Sequence, residues 1–413
     1  MFQEFLDNFT HNLFKPLLLF FYLGFSISLL RVPFEFPKVI YQGLTMYLLI
    51  AIGWHGGEEL ARLDNAGVYQ ALGFMFIGFF VNFAIGCLAY LTLRWFTRLR
   101  NVDAATVAGN YGSDSAGTFV TCLGVLAAAN LAYAAYMPVM LAVMEIPGCL
   151  VALLLVSRLR RLGMDTRGNM PGEPDYLPAI RPYDEPSPLV ALETAADVDE
   201  PLDNGGGTAT KVAVRRKKVV AVGHVATAHV QVERPVHLAS GKLLHEVFLN
   251  PGLFLLFAGL VIGYVSRLQG ESVVKDYDFL FVTMFQGALC LFLLEMGMTA
   301  CSRLGDLKNG GWRFILFALI APNIFAVIGI TAAHVYSLAL GQPFDVGTYA
   351  LFAVLCAAAS YIALPAVQRL AIPEASPTLP LAASLGLTFT YNVTIGIPLY
   401  IQIAKVVIRS FPI

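Results

Sequence analysis

Two stretches of this chain repeat each other, and in each copy the fourth hydrophobic segment is broken by small and polar residues. YQGLTMYLLIAIGWHGGEELARL, starting at Tyr41, aligns without a gap on FQGALCLFLLEMGMTACSRLGDL, starting at Phe285. Gln42 and Gly43 fall on Gln286 and Gly287, Gly53 on Gly297, Leu60 on Leu304 and Leu63 on Leu307. A duplicated apolar chain has few folds open to it, and secondary transporters are commonly built from such repeats with the substrate held between them.

Hydrophobic residues make up 57% of the chain and charged residues 13%, too apolar a balance for a soluble domain. The net charge of -1 leaves no basic face for phosphates, which argues against nucleic acid as a partner. Cys87, Cys122, Cys149, Cys290 and Cys356 lie inside apolar segments and Cys301 just after one, with no disulfide or zinc spacing. The acidic N-terminus MFQEFLDNFTHNLFK lacks the basic start of a cleavable signal, so the first apolar stretch is expected to be retained.

A bilayer crossing takes roughly 17 to 25 apolar residues, and ten stretches qualify. They run near Phe14 to Leu30, Pro37 to Trp54, Val68 to Trp95, Asp103 to Ala127 and Leu131 to Val156, then near Asn250 to Val265, Tyr277 to Thr299, Trp312 to Ala339, Val346 to Leu370 and Leu381 to Val407. Five spans per copy put the copies in opposite orientations. The expected fold is an all-α membrane protein of ten transmembrane helices, arranged as two inverted five-helix repeats with a broken helix in each. The first repeat occupies 1–156, a linker 157–245 and the second repeat 246–413.

Arginine and lysine set the orientation. With the N-terminus outside, Arg31, Lys38, Arg94, Arg98, Arg100, Arg158, Arg160 and Arg161 fall inside and only Arg62 outside. The second half agrees less cleanly: Arg303, Lys308 and Arg313 fall inside, but Arg267, Lys275, Lys405 and Arg409 outside. Both termini are therefore expected outside and the linker in the cytoplasm. The linker carries a basic cluster, Arg215, Arg216, Lys217 and Lys218, which reads as a solvated charge run or a contact for anionic lipid or a partner. The alternating run Val219 to Glu233 suits a strand or hairpin within flexible chain, and no further ligand spacing supports a metal site at His224 and His229.

The first break, AGNYGSDSAGTFVT, spans Ala108 to Thr121. Gly109, Gly112 and Gly117 lower helix propensity, while Asn110, Ser113, Asp114, Ser115 and Thr118 bring polar groups that lipid cannot satisfy. A half-helix N-terminus here offers free N–H groups to a small anion, and hydroxyls and bared carbonyls suit sodium. The second break, AAASYIALPAVQRLAIPEASP from Ala357 to Pro377, places Ser360 at the position of Ser113 and Pro365 at that of Thr118. Pro365 frees the carbonyl about one turn earlier. Small residues in spans also serve close helix packing, but two breaks in corresponding places favour a binding site.

Asp114 is an acid at membrane depth, costly and usually functional; its other readings are a partner for Arg369 or a protonated donor to a carbonyl. Glu145 and Glu295 pose the same choice between function and structural hydrogen bonding, and His334 reads as a packing residue. An intramembrane protease needs paired aspartates or a serine with a histidine in reach, and Asp114 has no such partner in the second break. An enzyme is not expected.

YGSDSAGTF at Tyr111 to Phe119, SRLGDL at Ser302 to Leu307 and SYIALPAVQRLAIPEASP at Ser360 to Pro377 resemble the sodium-dependent bicarbonate transporter family of cyanobacteria and other bacteria. The resemblance covers nearly all of the spanning chain and none of the linker. It implies a gate domain of helices 1, 2, 6 and 7, a core domain of helices 3–5 and 8–10, a homotrimer in the bacterial plasma membrane and regulation by a PII-like cytoplasmic protein. It implies a bicarbonate site at Gly112, Ser113, Ser115, Ala116, Gly117, Ala359, Ser360, Tyr361, Ile362 and Ala363, and a sodium site at Asp114, Ser115, Thr118 and Ser360. Sodium is then the coupling ion, with no organic cofactor. The expected function is sodium-coupled bicarbonate import by alternating access. Its alternatives are the same fold carrying another small anion, such as a short carboxylate, and a membrane sensor without flux.

Overall fold

The computed structural model describes residues 16–177 and 251–413, which are helical and contain no strand. The basic cluster, His224, His229 and the run from Val219 to Glu233 lie outside the described residues. The first half comprises α1 (Pro16–Leu29), α2 (Lys38–Leu60), α3 (Asn65–Phe96), α4 (Asn101–Tyr111), α5 (Ala116–Ala128) and α6 (Met137–Arg161). The second comprises α7 (Pro251–Gln269), α8 (Glu271–Asp278), a π-helical turn Phe279–Thr283, α9 (Met284–Arg303), a 3₁₀ turn Leu304–Asn309, α10 (Gly311–Leu340), α11 (Val346–Ala357), α12 (Ala363–Ala371) and α13 (Leu379–Ser410). Two π-helical stretches, Ala382–Phe389 and Asn392–Gly396, lie within α13.

Five helices among the described residues are long and apolar enough to cross a membrane: α3, α6, Phe279–Lys308, α10 and α13. On α3 the sequence sorts two faces. Phe74, Gly78, Asn82, Ile85, Ala89 and Leu93 are buried, while Leu72, Phe76, Phe80 and Leu91 are exposed. The spacing is helical, and the outward side chains are those lipid would solvate. Asp64 caps the start of α3, its Oδ1 accepting from Gly67 N at 2.8 Å.

Glycines govern the tightest crossings. Gly53 and Gly57 on α2 meet Gly259 and Gly263 on α7, each pair four residues apart. A Cβ on Gly57 would stand 1.9 Å from the Leu260 carbonyl oxygen, and one on Gly263 2.0 Å from that of Trp54. The two backbones touch because no side chain intervenes, the small-xxx-small geometry of membrane helices. α1 crosses α9 likewise, with Gly24 against Leu294 and Gly297 against Phe21.

A polar lock joins the ends of the broken helices outside the apolar region. Arg160 binds Glu374 at 3.0 and 2.9 Å and donates to the Ala371 carbonyl. Asp103 accepts from Arg100 and from Ser376 N, and Glu173 accepts from Asn101 N at the start of α4. Beyond α6, Asp165 folds its own turn by accepting from Arg167 N, Asn169 N and Leu177 N. Burial alone would raise this carboxyl, but hydrogen bonds from Asn169, Leu177 and Arg167 hold it below the usual carboxylate range.

Gly57→Ala is expected to force α2 from α7 and to lower stability by about 1–3 kcal/mol, read as thermal or denaturant unfolding in detergent. The depressed Asp165 carboxyl stabilises the fold above its unfolded pKa of about 3.9, and that contribution is lost as pH falls through the lower folded value. The stability gap between wild type and Asp165→Asn should therefore be constant near neutrality and close below about pH 4.

Candidate binding site at the two breaks

α4 ends at Tyr111, and Gly112, Ser113, Asp114 and Ser115 leave the helix before α5 starts at Ala116. Ser115 takes extended backbone angles and caps α5, its Oγ accepting from Thr118 N at 3.3 Å and from Thr118 Oγ1 at 3.0 Å. The first N–H groups of α5 have no partner within the helix. Gly112 packs on Gly86 of α3, and Ala116 is only half-buried.

In the second half α11 ends at Ala357, and Ala358 to Ile362 are non-helical before α12 opens at Ala363. Pro365 lies in the first turn of α12, where a missing N–H costs nothing. Its role is thus to open the second half-helix.

The breaks are tied to each other. Ser360 N donates to the Asn110 carbonyl at 2.8 Å, and Asn110 Nδ2 returns a bond to the Ser360 carbonyl at 2.7 Å. Gln368 Nε2 donates to Asn110 Oδ1 and to the Thr106 carbonyl, and Asn110 Nδ2 also reaches Ser384 Oγ at 3.3 Å. α13 serves both breaks from one row of polar residues, Ser384, Thr388 and Asn392. Thr388 bonds Tyr111 OH at 2.6 Å, and Asn392 Nδ2 takes the bared Ala357 carbonyl at 3.0 Å while its Oδ1 accepts from Tyr400.

Ser384, Thr388 and Asn392 lie outside the two breaks and are missed by reasoning from them, and Gln368, inside the second break, is not among the expected site residues. Their signal in the sequence is polarity inside otherwise apolar helices. The π-helical stretches of α13, which flank Thr390 and Tyr391, mark the same region.

Asp114 is 1% exposed, and neither carboxylate oxygen has a hydrogen-bond partner. Burying that group bare costs several kcal/mol, roughly, unless a cation or a proton accompanies it. Arg369 does not supply the cation: it is exposed and forms no ion pair among the described residues. Cys356, in the last turn of α11, and Glu145 on α6 lie within electrostatic reach of Asp114. Asp114 thus stands beside the broken helix of the other half. Its free oxygens share one turn with the Ser115 and Thr118 hydroxyls, oxygen donors of the kind that hard cations take.

Tyr361 reaches the other side of that turn. Its phenol oxygen lies where a Gly117 side chain would stand, 2.0 Å from the Cβ position, and faces Ser115 without a hydrogen bond of normal geometry. Phe292 of α9 closes on Gly117 too, with Tyr41 of α2 stacked on it at 6.0 Å. A free phenol donor and the α5 N-terminus converge there, and both suit an anion.

The remaining expected residues are placed differently. Ser113 turns to α6, where its Oγ donates to the Glu145 carbonyl at 3.1 Å, because Gly148 leaves room for close approach. Its hydroxyl is thereby committed to packing. Ala359 and Ser360 are buried, and Ser360 Oγ accepts weakly from Leu364 N at 3.5 Å. Ile362 is 41% exposed and stands outside the buried set. Glu295 accepts from Thr299 Oγ1 at 2.7 Å and keeps one buried oxygen free, facing Tyr41 and Tyr361 electrostatically. His334 packs on Tyr349 and Phe411, with Nδ1 at 3.0 Å from Tyr349 OH, as a packing residue should.

Asn110→Ala removes the amide that bridges Ser360, Gln368 and Ser384, and leaves buried partners unpaired. A loss of about 2–4 kcal/mol in denaturant stability is expected, against under about 0.5 kcal/mol for an exposed control such as Thr92→Ala.

No curated protein matches the chain. Residues 16–405 match the Na+-dependent bicarbonate transporter superfamily, so the chain belongs to that superfamily of transporters and is not an enzyme.

Proposed function

We propose that this protein imports bicarbonate together with sodium across the bacterial plasma membrane, by alternating access, with both ligands held where the two broken helices meet. The observation that carries the reading is the bare, buried carboxylate of Asp114 beside the α5 N-terminus. Sodium is the cation that completes Asp114, with Ser115 and Thr118 as neighbours and Ser360 across the junction. Bicarbonate takes the N–H groups of α5 at Ala116 and Gly117 and the Tyr361 phenol, with Gly112, Ala359, Ile362 and Ala363 shaping the surrounding backbone. Holding the cation next to the anion lowers the cost of taking either from water. Each ligand therefore favours binding of the other, which is the basis of coupling.

The architecture of this reading is ten spans in two inverted repeats: α1, α2, α3, α4 with α5, and α6, then α7, α8 with α9, α10, α11 with α12, and α13. The reciprocal crossings support it. Gly53 and Gly297 align in sequence, and each makes its backbone contact with a first helix of the other half, α7 and α1. α1, α2, α7 and α9 form the gate, and the rest form a core that moves past it. Phe292 and Tyr41 are gate residues facing the core at Gly117 and Tyr361. Both termini lie outside, the linker is cytoplasmic, three copies associate, and a PII-like protein binds from the cytoplasm.

The membrane potential contributes about 2.3 kcal/mol per net charge per 100 mV. One sodium per bicarbonate is electroneutral and gains nothing from it; a second sodium would draw on it.

Uptake of radiolabelled bicarbonate into liposomes should require an inward sodium gradient and should fall at least about tenfold in Asp114→Asn, the effect of losing one charged ligand worth over 1.4 kcal/mol. Sodium-independent uptake, or full activity in Asp114→Asn, would sink the assignment. Uptake of a short carboxylate in place of bicarbonate would keep the site and change the cargo.

A further inference from the structure

A groove of about 350 Å³ opens between α3 and α6. Phe83 and Cys87 line it from α3 and Leu154 and Leu155 from α6, while Arg158 and Arg161 stand at its end. No acid lines it. Three arginines close α6, and they divide by role. Arg160 turns inward to Glu374 with 11% of its side chain exposed. Arg158 and Arg161 are exposed and make no ion pair among the described residues, and Arg161 has only a 3.4 Å contact with Ser157 Oγ.

The groove sits at the level of the bilayer interface. Trp95, at the same end of α3, is 89% exposed, and Trp312 at the start of α10 is 66% exposed. Arg313 lies over the Trp312 and Phe96 rings at 5.6 and 5.9 Å. Exposed tryptophans beside arginines mark the headgroup region of a membrane protein. Arg94 of α3 and Arg158 of α6 both reach Tyr90 electrostatically, as does Glu173 beyond α6. The apolar walls therefore lie at acyl-chain depth and the guanidinium pair at phosphate depth. Helix polarity accounts for basic residues ending α6, but not for an acid-free apolar channel leading up to them.

We propose that this groove binds an anionic phospholipid, with its phosphate on Arg158 and Arg161 and an acyl chain between Phe83, Cys87, Leu154 and Leu155. Two unpaired cations at the chain's polar end select a net negative headgroup, because the ammonium of a zwitterionic lipid offsets its phosphate. The site rests on the membrane placement of α3 and α6 and not on the identity of the transported anion.

Native mass spectrometry of the whole protein, incubated with equal amounts of phosphatidylglycerol and phosphatidylcholine bearing the same acyl chains, tests it. Wild type should retain phosphatidylglycerol preferentially, and R158Q/R161Q should retain about tenfold less of it with phosphatidylcholine unchanged. L154W, which fills the groove and keeps both arginines, should lose the same lipid; it also carries the test alone if the double variant does not fold. Equal retention of the two lipids by wild type would overturn the proposal. So would phosphatidylglycerol retention unchanged in R158Q/R161Q, or reduced there but unaffected in L154W, which would mean surface charge without a groove.

Discussion

Interrupting a helix at bilayer depth frees backbone groups that lipid cannot satisfy, and much of this structure answers that one demand. Asn110 does most of it. Its carbonyl accepts from Ser360 N, and its side-chain amide donates to the Ser360 carbonyl while accepting from Gln368. The two breaks thereby satisfy each other. Asn392 takes the last carbonyl of α11, and Thr388 holds Tyr111. α13 is shaped for this work, with local π-helical winding that lets polar residues four apart reach both breaks. The breaks are thus held by several bonds each, the kind of support that fixes a geometry.

Asp114 stands out against that background of satisfied groups. The serines of the two breaks have found partners in the protein: Ser113 on α6, Ser115 on Thr118, Ser360 on Asn110. Asp114 has not, and a buried carboxylate without a partner is a departure that calls for an explanation, which the proposed cation would supply. Tyr361 has the same character on the anion side, its hydroxyl held near Gly117 and Ser115 without a settled bond. Satisfied and unsatisfied polar groups thus alternate along the same short segments.

Two further layers frame the site. The backbone-to-backbone crossings of α1 with α9 and α2 with α7 depend on glycine, so these four helices form a unit whose geometry tolerates no side chain at the contact. At the other extreme, Arg160, Glu374, Asp103 and Glu173 pin the outer ends of the broken helices with charge-assisted bonds outside the apolar region. The broken helices are held at their ends and at their breaks by different chemistry, and Phe292, stacked on Tyr41, packs against Gly117 between.

Much of this was legible in the linear order of residues. Long apolar runs, the ungapped match of Tyr41 to Leu63 on Phe285 to Leu307, and small polar residues in the fourth span of each half follow from composition and spacing alone, because lipid imposes length and apolarity on each helix separately. The interruption after Tyr111 and after Ala357 was readable for the same local reason. Other features depend on which helix lies next to which. Ser113 and Asp114 are adjacent polar residues, yet the hydroxyl of one is taken by the Glu145 carbonyl, where Gly148 admits it to α6, and the carboxyl of the other is left bare. Gln368, Thr388 and Asn392 reach the breaks only because α12 and α13 fold back onto them, and a groove exists only where α3 and α6 part. Local sequence determined where helices form and fail; packing between distant segments decided which polar groups were satisfied and which were left without a partner.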